Sequence, residues 1–300
     1  MRPELIQAAT LLRSAEPDSV SEAIRLLQST VYSFSMKVCG HTEDAEDTTQ
    51  EVLVRSLSHL VKIDDPRALA VWLYTAARNR CWRMRRRTVD APKETLSLEE
   101  LMPDEFELGL LLQDSAPSPE SRVLSDEQDD LVHQAILGVP PQYRMVLVLH
   151  DMEDLDPDLI AQVLGIQPGT VRVRLHRARL RVRKEMNRLL REMPNTVKTK
   201  QEGRKRPGNN SGASQRGPEC RELFANLSEY LEGNVEPQSC EAMRQHIEAC
   251  PACISFIRDL RQAIDRCRKL DLKCSPEVSS HLRSLLTIEY LRLLETPTSK

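Results

Sequence analysis

His246, Cys250 and Cys253 form the pattern His-x3-Cys-x2-Cys. Residues four apart on a helix lie one turn apart, so the imidazole and the first thiol address one point, and a second thiol joins them close by. Three nitrogen and sulfur donors of this kind suit tetrahedral zinc, which asks for a fourth ligand. Cys220 and Cys240 are the candidates for it. The competing structural reading is a group of buried, unreactive cysteines beside a surface histidine. Cys267 and Cys274, seven apart, lie outside the pattern and stay open as inert thiols, a redox pair or an extension of the metal site. Six of the eight cysteines fall in the last third of the chain, and residues 1–14 hold no continuous apolar export segment. The expectation is a cytosolic protein in a reducing compartment, where clustered thiols point to metal before disulfides.

A second constellation is basic. Between positions 167 and 191 stand nine basic residues and one acid, Glu185. Val171, Leu175, Ala178 and Val182 recur at spacings of four, three and four, which gives a helix one buried stripe and turns Arg172, Arg174, Arg177, Arg179, Arg181 and Arg183 elsewhere. So one-sided a charge argues against a face neutralised by its own ion pairs. Ahead of it, Asp156-Pro157-Asp158 can start a short helix and Gly165-Ile166-Gln167 turns the chain before Pro168 opens the next one. This is the grammar of a helix-turn-helix, whose second helix can enter a major groove with arginines for phosphates or guanine. Another basic run, 78–87, holds six arginines and no acid.

The elements that must carry these groups are helical. Gly and aromatic residues are scarce, and apolar residues recur at three and four through Ile24, Leu27, Val31 and again Val52, Leu53, Leu57, Leu60. Asp64-Asp65-Pro66 marks a loop and a helix start. Residues 88–130 hold 13 acids against Lys93 and Arg122, a net −11, and read as an acidic linker with a brief helix around 108–112. Residues 195–218 are basic and rich in Gly, Ser and Asn, as a tether would be. The overall charge of −3 therefore conceals strongly segregated charge. No apolar run approaches the roughly 18–20 residues of a membrane span. No glycine loop for phosphate appears, and the thiols stand in a ligand pattern instead of beside a base and nucleophile, so an enzyme is not expected.

Two motif sets resemble the extracytoplasmic-function sigma factors of bacterial RNA polymerase. Val139-Pro140-Pro141-Gln142-Tyr143-Arg144, Ile160-Ala161, Leu164-Gly165-Ile166, Pro168-Gly169-Thr170-Val171 and His176-Arg177-Ala178-Arg179 are similar to sigma region four. Ala45-Glu46-Asp47-Thr48-Thr49-Gln50-Glu51, Trp72-Leu73 and Ala77-Arg78-Asn79 are similar to region two. The stretch from Cys220-Arg221-Glu222-Leu223 through Tyr230-Leu231-Glu232-Gly233 to the His/Cys cluster resembles the zinc-finger domain of zinc-binding anti-sigma factors, whose fourth ligand matches Cys220. Leu159 stands where the sigma family usually has an acid, and Gln167 where it has a capping Ser.

The resemblance implies an all-α protein: region two over 1–90, the acidic linker over 91–129, region four over 130–193, a basic tether over 194–218 and a zinc-finger module with a C-terminal helix over 219–300. It implies core RNA polymerase and promoter DNA as partners and no membrane. Asp47, Gln50 and Glu51 would meet the polymerase. Arg78, Asn79, Arg83 and Arg86 would contact the −10 element, with the loop 61–67 capturing a flipped base, and Thr170, Arg172, Arg174, His176, Arg177 and Arg179 the −35 element. Cys220, His246, Cys250 and Cys253 would hold zinc. The tethered module would touch the sigma domains in cis and answer to redox or metal. The alternative is a metal- or thiol-sensing interaction protein whose sigma-like part no longer initiates transcription.

Overall fold

The computed structural model describes residues 1–14, 16–86, 95–103, 107, 125–192, 218–273 and 276–295. Among them every regular element is a helix. The proposed helix around 108–112, nearly all of the acidic linker, the tether from 194 to 217 and Cys274 lie outside the described residues, as does the side chain of Arg86.

The first unit is built from α1 (Pro3–Ser14), α2 (Pro17–Cys39), α3 (Thr42–Leu60) and α4 (Pro66–Arg86). Pro17 sits in the first turn of α2, and Gly40 ends that helix in the left-handed region at φ 85°, its amide donating to the Met36 carbonyl. A side chain at Gly40 would be strained there and would stand 2.8 Å from Leu137 of the second unit. Pro66 opens α4, as its position after Asp64-Asp65 suggested. Helix α1 was not anticipated, although Leu5, Ala8, Ala9 and Leu12 carry the period that buries it against α2 and α4.

After a short turn of helix, α5 (Leu98–Leu101), the second unit comprises α6 (Ser125–Leu137), α7 (Pro141–Leu147) widening into a π-helical turn at Val148–Met152, α8 (Pro157–Leu164) and α9 (Pro168–Glu192). Asp156 caps α8, its carboxylate accepting from the Leu159 amide at 2.8 Å. Gly165 turns the chain at φ 66° into α9, whose stripe of Val171, Leu175, Ala178 and Val182 is fully buried. The third unit holds α10 (Pro218–Leu231), α11 (Pro237–Ala249), α12 (Pro251–Lys269) and α13 (Pro276–Glu295).

One continuous apolar core runs through all three units. Helix α8 packs on α4, α12 packs on α9, and α13 lies along α2 and α3. The seam between first and second units also contains a buried polar knot. Glu153, following the π turn, accepts from Lys37 Nζ at 3.0 Å and from Tyr74 Oη at 2.7 Å. Both the Lys37 and Glu153 side chains are wholly inaccessible to solvent. An ion pair so far from water must keep all its partners, because losing one strands a charge. Around it Arg144 donates to the Val38 carbonyl at 2.8 Å and the His133 ring meets the Met36 carbonyl at 3.0 Å.

Candidate metal centre and nucleic-acid interface

The metal candidates come together from three helices. Cys220 lies on α10 and His246 on α11, Cys250 is the corner residue between α11 and α12, and Cys253 occupies the first turn of α12. Pro251, just inside α12, sharpens that corner and aims both thiols inward. Their ligand atoms all lie within 4.8 Å of one another. His246 Nε2 stands 3.2 Å from Cys220 Sγ and 3.4 Å from Cys253 Sγ, and the two sulfurs are 3.9 Å apart. With zinc–sulfur bonds of about 2.3 Å and zinc–nitrogen bonds of about 2.0–2.1 Å, a tetrahedron has edges of about 3.5–3.8 Å, so Cys220, His246 and Cys253 already stand close to that spacing, with Cys250 near enough to complete the set. Burial, then the neighbouring Cys250 and Cys220 thiols, pushes the Cys253 thiol far up. A bound divalent cation supplies the positive charge that lets such thiols ionise.

Cys240, on α11, is outside the quartet and half-buried. Cys267, on α12, is also outside it and wholly buried where the third unit meets the other two, near Asp151, Arg179 and Lys37. Burial pushes its thiol up as well.

The basic helix α9 divides into two faces. Thr170 and Arg172 are exposed, and Arg174 and Arg177 half-buried, so these can still be reached from outside. His176, Arg179 and Arg183 cannot, which corrects the expectation that the arginines between the stripe positions face away from the protein. Arg179 and Arg183 are among the largest fully buried side chains. The Arg179 guanidinium is clasped by Asp151 from the π turn and by Glu232 of the third unit at 2.6 Å. Arg183 donates to Asp259 on α12 at 2.9 Å and lies 4.4 Å over the Phe256 ring. The charge of α9 is one-sided in sequence yet paired in space, partly by Glu185 and Glu192 and partly by acids of other helices. Burial would raise Asp151, but the Arg179 and His150 hydrogen bonds outweigh it and hold this carboxyl down at about 2. His176 Nδ1 meets the Ser228 hydroxyl of α10 at 2.8 Å, and burial, with Arg179 and Arg177 nearby, pushes the imidazole down to about 4.

In the first unit Asp47 and Gln50 are exposed on α3, whereas Glu51 is half-buried between Arg55 at 2.9 Å and Arg80 at 2.8 Å. Arg78, Asn79 and Arg83 face the second unit: with Trp82 they share a cleft of about 490 Å³ with Gln142 and Arg174. Arg78 Nη1 donates to the Val163 carbonyl of α8 at 2.6 Å. The loop 61–67 borders a second cleft, of about 780 Å³, that α8 closes with Leu159 and Gln162. Sequence reasoning missed Glu153, Lys37, Ser228 and Asp259, each of which matters only through a partner far along the chain.

Family profiles match three stretches: "Sigma-70 region 2" over residues 23–89, "Sigma-70, region 4" over 129–182 and "Putative zinc-finger" over 220–253. The RNA polymerase sigma-H factor of Pseudomonas aeruginosa is 33% identical over 154 residues, 50% of this chain and 77% of the relative. The ECF RNA polymerase sigma factor SigW of Bacillus subtilis is 27% identical over 179 residues, 59% of this chain and 94% of its own length. The ECF RNA polymerase sigma-E factor of Escherichia coli K12 is 28% identical over 152 residues, 49% and 76% respectively. With helices α2–α4 and α6–α9 carrying the two sigma profiles in order, the chain belongs to the extracytoplasmic-function sigma factors of RNA polymerase, extended by a zinc-finger domain.

Proposed function

We propose that this sigma factor is held closed by its own zinc module. In this reading residues 1–90 and 130–193 are regions two and four, and 219–300 the inhibitor, in a cytoplasmic protein that meets core polymerase and promoter DNA when it opens. The single observation that carries the proposal is the hydrogen bond from Arg78 to the Val163 carbonyl, which brings the −10 helix against the helix-turn-helix. The −10 and −35 elements lie roughly 25 base pairs, about 85 Å, apart on duplex DNA. Regions in direct hydrogen-bonded contact cannot read both at once. Arg78, Asn79, Arg83 and Arg174 would then be DNA contacts turned into a shared cleft, while Thr170, Arg172 and Arg177 stay reachable from outside, His176 joins them after the module leaves, and Arg179 does so only when it also lets go of Asp151. Arg86 belongs with the −10 group by sequence.

Zinc at Cys220, His246, Cys250 and Cys253 would hold α10, α11 and α12 in the register that presents Ser228 and Asp259 to α9. Asp47 and Gln50, exposed on α3, and Glu51 beside them are the proposed polymerase contacts. Thiol oxidation or metal exchange at the quartet would release the module. Run-off transcription with core polymerase tests the reading: the chain ending at residue 193 should outperform the full chain severalfold, and peroxide or a chelator should close that gap. Equal transcription from both chains under reducing and oxidising conditions would remove the inhibitory role.

A further inference from the structure

The sigma half contains a thiol pair of its own, outside the metal quartet and outside every contact so far assigned to promoter or polymerase. Cys39 is the last residue of α2, and Cys81 lies five residues before the end of α4. Their sulfurs are 2.7 Å apart in the first unit. Both are thiols, Cys81 being 1% exposed and Cys39 9%. The placement is enforced from both sides. Cys39 is followed at once by the left-handed Gly40, and the Val38 carbonyl is held by Arg144. Cys81 points into the core through a helix whose Leu73, Tyr74 and Ala77 are buried on the same side.

We infer that Cys39 and Cys81 form an oxidisable dithiol that staples region two. A peroxide is the oxidant. Cys39, the more accessible residue of the two, attacks one peroxide oxygen as its thiolate and becomes a sulfenic acid, with the other oxygen leaving as water once protonated. The Cys81 sulfur then attacks the Cys39 sulfur and expels its hydroxyl as a second water. Two thiols and one hydrogen peroxide give one disulfide and two waters. A disulfide needs sulfurs about 2.0 Å apart, so the bond forms with little rearrangement of the helices that carry it.

The link closes a loop across 42 positions. That loop contains all of α3, with Asp47, Gln50 and Glu51, and most of α4, with Arg78 and Asn79. A crosslink restricts the unfolded chain more than the folded one, so it stabilises the enclosed structure without redesigning its surface. Oxidation would therefore act in opposite senses on the two ends of the molecule. It removes thiolates from the metal quartet and reinforces the region that must engage polymerase. This inference stands apart from the inhibitory role of the module, since it concerns only residues of the first unit.

The two tryptophans of the chain, Trp72 and Trp82, both lie on α4, so their fluorescence reports region two within the intact protein. Full-length protein is treated with hydrogen peroxide, the remaining thiols are alkylated, and the digest is mapped by mass spectrometry. The expected result is a Cys39–Cys81 crosslinked peptide, 2 Da lighter than the two reduced peptides together. Its formation should be accompanied by a rise of about 5–10 °C in the tryptophan-detected melting temperature. Dithiothreitol should reverse both, and Cys39→Ser should abolish both while its reduced form still melts cooperatively. If Cys39→Ser fails to fold, the reversal of the wild-type shift by dithiothreitol decides the matter. Alkylation of both cysteines after peroxide treatment, or a crosslink with no upward shift, would overturn the inference.

Discussion

His176 shows how one side chain can couple the closed state to acidity. Its ring contacts Ser228 of the module, and burial pushes it down to about 4 from an ordinary value near 6.5. The docked state thus prefers the neutral imidazole, whereas a released α9 lets it take a proton. Docking is at full strength above pH 6.5 and weakens as the pH falls toward 4. At pH 5 the linkage amounts to about 2 kcal/mol, or about a thirtyfold fall in the docking equilibrium constant. Affinity for −35 duplex should rise accordingly between pH 7 and pH 5, and His176→Gln should remove the part of that rise due to the imidazole. Identical pH profiles for the two proteins would show that this proton is not linked to docking. The histidine is instructive about sequence too. Its place in the motif was legible, but its burial was not, because Ser228 lies 52 positions away. Arg179 and Arg183 follow the same logic, with Asp151 28 positions off and Asp259 76. The metal quartet was easier, since three of its four residues fall within one corner of chain and resemblance supplied Cys220.

Helix α8 presents a different lesson at the scale of elements. Its start and stop were written locally in Asp156-Pro157 and Gly165, so the helix-turn-helix was readable without any tertiary knowledge. The use of its outer face was not. Leu159, which departs from the sigma pattern by replacing an acid, is 7% exposed and closes the cleft that Trp72 and the loop 61–67 line on the other side. The apolar residue makes sense as part of a seam that an acid would disfavour. Leu159→Asp would set a carboxylate against the Trp72 and Val71 side of that cleft, at a cost on the order of 2–3 kcal/mol, while the Asp156 cap keeps α8 itself helical. In a Trp82→Phe background, Trp72 is the single fluorescent reporter of this seam. Leu159→Asp should shift its emission to the red and raise −35 affinity, with helical circular dichroism retained. Unchanged emission would mean that the seam does not depend on this side chain. The Glu153 knot beside it explains why the seam should open as a unit, since Lys37 and Tyr74 lose the same carboxylate together.

For the whole molecule, the proposed function requires that a metal on the third unit could govern a seam between the other two. The connection runs through single helices. Cys220 and Ser228 stand two turns apart on α10, so the residue that would bind metal and the residue that meets His176 move as one body. Glu232, just past the end of α10, clasps Arg179, while Arg268 on α12 approaches Asp151 at 3.7 Å behind the same arginine. Asp259, also on α12, holds Arg183 six residues after Cys253. If the quartet binds zinc as proposed, separating these helices by removing that ion would withdraw three acidic or hydroxyl partners from α9 at once. Arg179 and Arg183, left with fewer acidic partners, would raise the net positive charge that α9 presents to the arginine-rich α4, which favours opening. Chelation should therefore increase the radius of gyration measured by X-ray scattering. It should also raise the affinity of α9 for −35 duplex more than tenfold at low salt, with a steeper salt dependence as α9 loses the module's neutralising acids Glu232 and Asp259. Cys220→Ala should reproduce this state without chelator, whereas Cys240→Ala, outside the quartet, should bind one equivalent of zinc and stay closed. A chelated protein that has lost its metal yet keeps the scattering profile of the closed form would show that the sigma seam holds by itself. The Glu153 knot, rather than the module, would then be the principal restraint.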